Sequence, residues 1–497
     1  MSSNTSPTIT APSSTEKLPS ENKAELPLYA TGQLGDPDFK VYLTNDDDPQ
    51  NLPEFRKWLT VAVIASGALL ATCASSIAAF TEAPIQQEFK IGTSLDIFAN
   101  MSIYVLGCAV GPLFVGPLSE VYGRNIIYQL SYIFFFIFSW PVAFAPNIAV
   151  YTVFRFFTGC VGAVFLTVAG GTVSDLFSKD KVASPMALYT LSPFLGPVLG
   201  PLFGGFINQH LYWRWTYHLI TAWSFGQVIA LLTLVPETFA PVIIKRKAAK
   251  LRKQTGNSKF WTEYDDADKN IGQEILVSLY TPFQLLLLDR MALLLSTWTA
   301  LLLGILYLAF QAFPIIFMGL HGFSIEMTGL SFIGIGVGMI CACASQPLWN
   351  RRLAKVMEKY DNNPPPEVHL DVGKVGGILV AISLYWLAFT SYPQVHWIAP
   401  IIASAPFGAG AYYVYTSVFT YLVSAYRPVA ASAMCANNAL RSVFGAAFPL
   451  FAGAMYSKLG PVGAMALLGG LATLMVPMPF VFSKIGARLR AKSRFAA

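Results

Sequence analysis

Charge is what this chain has least of. Only 12% of its 497 residues are Asp, Glu, Lys or Arg, about half the roughly 25% of soluble domains, while 54% are hydrophobic and the mean hydropathy is +0.52. So few charges cannot cover a water-facing surface of this size, so lipid must solvate much of the outside. Cysteine is scarce too. The six, Cys73, Cys108, Cys160, Cys341, Cys343 and Cys435, all fall in apolar runs, and no Cys-x-x-Cys or His-rich cluster offers metal-ligand spacing. No metal and no cofactor is therefore expected. The five histidines, His210, His218, His321, His369 and His396, are scattered, which disfavours an enzyme. There is no G-x-x-x-x-G-K-(S/T) run to bind ATP. The first 57 residues contain no early apolar segment of the signal-peptide type and are rich in Ser, Thr, Pro and acids, so residues 1–57 read as a disordered tail.

Long apolar runs are what the chain does have. Crossing hydrocarbon takes about 20 apolar residues, and twelve candidates qualify. The first six are Trp58 to Phe80, Ser94 to Gly116, Ile126 to Phe144, Ile148 to Val173, Ala183 to Phe206 and Thr216 to Leu234. The second six are Met291 to Phe313, Ile325 to Trp349, Val375 to Ser391, His396 to Val423, Ala430 to Tyr456 and Pro461 to Phe482. This predicts an all-α membrane protein of twelve spans in two six-helix bundles, 58–236 and 286–484, with a connector over 237–285 and a tail over 485–497. Basic residues crowd the side that holds the termini: Lys245, Arg246, Lys247, Lys250, Arg252 and Lys253 after span 6, Arg351 and Arg352 after span 8, Arg488, Arg490 and Arg494 at the end. The other side shows Lys90, Arg214 and Lys458. Both termini are therefore expected in the cytoplasm. The net charge of +6 flanks the spans, so it calls for a bilayer rather than for nucleic acid. The connector's basic cluster, followed by Glu263, Asp265, Asp266 and Asp268, reads as a tether whose basic end lies near anionic headgroups.

The halves echo one another. Pro201-Leu202-Phe203-Gly204-Gly205 in span 5 recurs as Pro449-Leu450-Phe451-Ala452-Gly453 in span 11, the equivalent place in a six-plus-six arrangement. A weaker echo joins Gly116-Pro117-Leu118 to Gln346-Pro347-Leu348.

Between spans 2 and 3 lies the turn Gly116-Pro117-Leu118-Ser119-Glu120-Val121-Tyr122-Gly123-Arg124. It resembles the G-x-L-(S/A)-(E/D)-x-x-G-R signature of the major facilitator superfamily of secondary transporters. Span 5, Gly196-Pro197-Val198-Leu199-Gly200-Pro201-Leu202-Phe203-Gly204-Gly205, resembles the antiporter motif of that superfamily's drug:proton antiporter branch. Trp213-Arg214-Trp215-Thr216 before span 6 and Pro236-Glu237-Thr238-Phe239-Ala240-Pro241 after it are similar to runs in fungal twelve-span multidrug transporters. The likeness runs from span 1 to span 12. It implies a monomeric plasma-membrane pump that couples export of a small hydrophobic compound, a drug, toxin or secondary metabolite, to inward proton flow. Proton-driven uptake of a nutrient, or a non-transporting receptor or enzyme, stand as the alternatives.

The resemblance also implies roles. Arg155, followed by Gly159 in span 4, matches a motif associated with proton coupling, and an arginine at hydrocarbon depth costs at least about 2.5 kcal/mol unless it faces a polar interior. Span 1 offers it no carboxylate, and the proton carrier stays unassigned. Asp175 lies twenty residues on, about 30 Å of helix, and is expected to join Glu120 and Arg124 in a charge network that locks the outward-facing state. Arg441, preceded by Asn437 and Asn438, is a second buried cation: either the cavity favours anionic or electron-rich ligands, or water and carbonyls satisfy it. Gln311 stands where several relatives have an acid, which counts against a polyamine substrate. Gln227, Gln311, Tyr413, Asn437, Asn438 and Arg441 are the candidates for lining the cavity.

Overall fold

The computed structural model describes residues 39–495, apart from 46, 179–180, 266–270, 361–364, 427–428 and 492. The expected tail up to residue 38 lies outside them. Regular structure among the described residues is helical, save one bridge between Lys40 and Trp261.

Among the described residues, ten stretches are long and apolar enough to cross a membrane: Glu54–Phe80, Phe98–Tyr122, Arg124–Ala143, Ile148–Leu176, Ser184–His210, Arg214–Leu234, Arg290–Leu320, Ile325–Lys359, Pro366–Thr390 and Ala430–Arg490. The first nine are spans 1 to 9. The tenth is a pair, because Gly460, at φ 67°, breaks it just ahead of Pro461. Between them stands Ile398–Ala425, 28 residues long, whose four tyrosines lower its hydropathy. It is span 10, and the pair forms spans 11 and 12. The twelve-span expectation therefore holds.

The outward faces explain the composition. Phe134, Ile137, Trp140, Val153, Phe157, Phe225 and Ile229 in the first half, and Ile378, Ile382, Trp386, Phe389 and Leu474 in the second, are exposed large hydrophobics. Such a belt is stable only against lipid. Inside, each half has its own core: one built on residues such as Ile64, Tyr128, Phe165 and Leu231, the other on residues such as Trp298, Phe310, Leu384 and Leu468. The second core also takes in Phe80, Met101, Val105, Phe194 and Val198 of the first half, which mark the seam between bundles.

Three expected boundaries need correction. Residues 39–57 are not wholly a loose tail: Val41 and Trp261 are joined through the backbone, Lys247 pairs with Asp47 at 2.5 Å, Asp48 caps a short turn, and span 1 already begins at Glu54. The connector is not a bare tether but holds two helices, Ala240–Thr255 and Ile271–Leu288. Part of its basic cluster is spent on local acids, with Arg252 bonded to Asp265 and Arg246 3.7 Å from Glu237. Span 12 runs on to Arg490, whose guanidinium forks onto Glu367 at the start of span 9 at 3.0 and 3.1 Å. The C-terminal segment is pinned there rather than free from residue 485.

Candidate functional site: a central cavity between two bundles

Span 5 shows how the sequence builds the seam. Its glycines and prolines fall into two adjacent four-residue stripes, and a helix places i and i+4 on one face. Gly196, Gly200 and Gly204 form one stripe: a Cβ on them would collide with Thr72, with Ser76 and Ile77, and with the Ile77 carbonyl of span 1. Ser76 Oγ donates to the Gly196 carbonyl at 3.1 Å across this contact. Pro197, Pro201 and Gly205 form the next stripe and turn toward the other bundle. Pro197 lines the cavity, while the backbone of Pro201 and Gly205 meets Gly329 of span 8. The antiporter-motif helix is thus only in part an inter-bundle seam. The sequence echo at Gly453 has open space around it instead.

On the side away from the termini the bundles are closed. Besides the Gly205–Gly329 contact, Gln209 Oε1 accepts from the Ile325 backbone N–H at 3.1 Å, and His210 Nε2 lies 2.9 Å from Glu326 Oε2. Deeper in the seam, Ser102 Oγ donates to the Ala446 carbonyl at 2.7 Å, Asn438 Nδ2 to the Cys108 carbonyl at 3.0 Å, and Ser75 and Tyr307 share a hydroxyl pair at 2.7 Å.

Toward the termini the bundles part around a cavity of about 900 Å³. Its mouth is lined by Gly116, Glu120, Arg124, Arg352, His369 and Asp371, and its depth by Phe194, Tyr307, Tyr412, Asn437, Asn438 and Arg441. A space of this size, mostly apolar with few polar groups, suits a drug-sized ligand.

The expected lining residues divide. Asn437, Asn438 and Arg441 line the cavity. Gln227 does not: it is buried and donates to the Val63 carbonyl at 2.7 Å, stapling span 6 to span 1. Gln311 lies outside the lining, and Tyr413 is turned away, its hydroxyl 2.5 Å from Ser345 Oγ. The neighbouring Tyr412 takes the wall, a one-residue helical step that aromatic content alone does not resolve.

At the span 2–3 turn, Gly123 adopts φ 101°, a left-handed conformation open to glycine. Arg124 Nε reaches Asp175 Oδ2 at 2.5 Å. Two partners were not foreseen. Glu237, in the Pro-Glu-Thr run after span 6, accepts from the backbone N–H groups of Arg124, Thr238 and Phe239 at 3.0, 3.0 and 3.1 Å. Gly171 leaves the room in which the guanidinium sits, since a Cβ there would come within 2.7 Å of it. Phe239 lies under the charge at 4.9 Å. The network found here joins the first bundle to the connector. Glu120 is exposed at the cavity mouth, and Gly116 has open space beside it.

Arg155 is buried within the first bundle, outside the central cavity. Its Nε and Nη2 donate to the Asn100 carbonyl at 3.0 and 2.5 Å, and Nη1 to the Ala74 carbonyl at 3.0 Å. These carbonyls lie where helices change pitch: Phe98–Ser102 is a wider π turn, and span 1 tightens after Ser76. Tyr104 lies 4.7 Å from the cation. The Asn100 side chain extends the cluster, donating to Ala78 and Thr81 and accepting from the Tyr151 and Tyr217 hydroxyls. Sequence reading missed this asparagine because one amide in an apolar run carries no signal of its partners.

Outside the spans, Glu88 accepts from Tyr212, from Trp213 Nε1 at 2.6 Å and from Arg214 Nη2 at 2.6 Å. Burial pushes its carboxyl up, and these hydrogen bonds outweigh that and hold it below the usual range.

The profile of the Major Facilitator Superfamily matches residues 64–449. The efflux pump atB of Aspergillus terreus is 42% identical over 468 residues, covering 92% of this chain and 90% of that protein. The probable drug/proton antiporter YHK8 of Saccharomyces cerevisiae is 37% identical, with 91% and 88% covered. Among solved structures, the xylose transporter XylE from E. coli in a partially occluded inward open conformation overlays with a TM-score of 0.60 at 15% identity, covering 86% of this chain and 98% of that one, a likeness of fold. Sequence, span count and paired bundles agree: the chain belongs to the major facilitator superfamily.

Proposed function

We propose that this protein is a proton-coupled efflux pump that exports small, largely hydrophobic organic compounds, such as drugs, toxins or fungal secondary metabolites. The observation that carries the reading is the 900 Å³ cavity, open toward the termini and shut at the opposite end by contacts between spans 5 and 8. Rocking the bundles about that seam would exchange access from one side to the other. With lysine and arginine crowding the termini side, the mouth faces the cytoplasm, so the geometry is a loading state at the plasma membrane. The names of the curated relatives, an efflux pump and a drug/proton antiporter, support export and coupling. No catalysis, metal or cofactor enters this reading, and one chain encloses the whole pathway, so a monomer suffices.

Arg155 holds two helix breaks together through their carbonyls, so its part in coupling is to keep spans 1, 2 and 4 moving as one body. Arg124, Asp175 and Glu237 fix the loading-side turn, Glu120 stands at its edge, and Gly196, Pro197, Gly200, Pro201, Gly204 and Gly205 let span 5 pack closely and bend. The experiment is efflux of fluorescent aromatic compounds from a pump-deficient host. Export should stop when a protonophore collapses the gradient while ATP stays available; export that persists would defeat the coupling.

A further inference from the structure

The two arginines at membrane depth are treated differently. Every nitrogen of the Arg155 guanidinium donates to a backbone carbonyl, as expected of a structural cation. Arg441 lines the central cavity, and among the described residues its one hydrogen bond runs from Nη2 to Asn438 Oδ1 at 2.9 Å. Its Nε is shielded and has no hydrogen-bond partner. Among the described residues no ion pair reaches it.

We propose that Arg441 is the anchor for an anionic group, and that the pump's substrates are small organic anions with a flat apolar body. The substrate class rests on the efflux reading; the site itself does not. A guanidinium presents planar, forked donors matched to a carboxylate or sulfonate, and Arg441 brings that group to the cavity wall. Asn438 orients it, because its Nδ2 is fixed on the Cys108 carbonyl while its Oδ1 holds Nη2. Around the charge stand rings: Tyr415 and Phe419 at 5.5 and 5.3 Å from the guanidinium, with Phe194 stacked on Tyr415 at 4.7 Å. A flat body would lie along the Phe194 and Tyr412 wall, where area burial and stacking hold it.

The carboxylates of the lining are Glu120 and Asp371, both at the mouth, and Asp371 is paired with Lys374 at 2.6 Å. Among the described residues, the deep part of the cavity therefore carries one net positive charge and no carboxylate. A counter-ion from the ligand completes the site.

The test uses purified full-length protein in nanodiscs and three probes of one shape: 1-naphthalenesulfonate, its neutral N,N-dimethylsulfonamide, and 1-naphthyltrimethylammonium. Equilibrium binding should favour the sulfonate over the sulfonamide by at least about tenfold, the effect of a charge-assisted hydrogen bond, with the ammonium weakest. Arg441→Met should remove that preference, bringing sulfonate and sulfonamide binding within about twofold of each other. Equal binding of all three by the unaltered protein would overturn the anchor, even if the variant failed to fold. Gradient-driven flux of the sulfonamide in proteoliposomes reads the pump separately: flux without sulfonate preference would sink the anion site alone, and preference without any flux would sink the efflux reading alone.

Discussion

His210, the last residue of span 5, and Glu326, in the first turn of span 8, face each other at 2.9 Å, one on each bundle. With the Gln209–Ile325 bond beside them they clasp the end of the molecule opposite the cavity mouth. The side chains are 64% and 29% exposed, so the pair is worth about 0.5 kcal/mol at most. Glu326→Gln should shift the balance toward the far-side-open form by about twofold. Distance distributions between spin labels on spans 5 and 8 measure this, and an unchanged distribution would rule out the clasp.

Glycines of the two span 5 stripes should fail differently. Gly200→Leu drives a side chain into the Ser76 hydroxyl and the Ile77 backbone inside one bundle, overpacking that costs about 1–3 kcal/mol or more. Its signature is lowered thermal stability and poor delivery. Gly205→Leu should leave folding nearer normal and hold spans 5 and 8 apart. Full activity in both variants would sink the packing account.

Removing Arg124 strands a carboxylate that is only 23% exposed. Arg124→Ala should lower stability by about 2 kcal/mol, the range for a hydrogen bond to a charged group, and alter the populations of the two access states. Gly171→Ala should reproduce part of that loss by displacing the guanidinium, without touching charge. Wild-type melting and populations in both would leave the network without a role.

Arg155→Ala should cut gradient-driven efflux while proton-independent exchange is less affected. It also strands the Asn100 and Ala74 carbonyls, a loss of about 1–3 kcal/mol. Melting curves read beside transport keep the two effects apart. Unchanged transport would refute the coupling role.

Glu88 gives a pH prediction. Its carboxyl is held below the usual range, so the stability it contributes is present above the ordinary value of about 4.3 and fades as pH falls through the lowered one. Being 30% exposed, it contributes about 1 kcal/mol at most. Glu88→Gln should melt lower than the parent at pH 7, and the gap should close only in strong acid. A gap that closes already at pH 5 would contradict the assignment.

Span number and the antiporter helix were legible because they depend on local composition: length of apolar runs, and glycine spacing along a single helix. Arg155, Asn438 and Arg441 stood out for the same reason, as polar groups in apolar runs. Side-chain direction was not legible. Tyr413 and Tyr412 differ by one helical step, about 100°, and only packing against Ser345 decides which faces the cavity. Nor could partners from distant segments be read. Glu237 meets Arg124 across 113 residues, and Gln227 meets Val63 across 164. The docking of residues 39–53 on the connector depends on contacts with Trp261 and Lys247 that no periodicity announces.

Where Gly205 faces Gly329, main chain lies on main chain, with a missing Cβ on each side. A single added carbon at either position therefore acts as a shim. The lifetime of the sealed end can be adjusted one methyl at a time, so turnover can be tuned with no change to the chamber that selects the cargo.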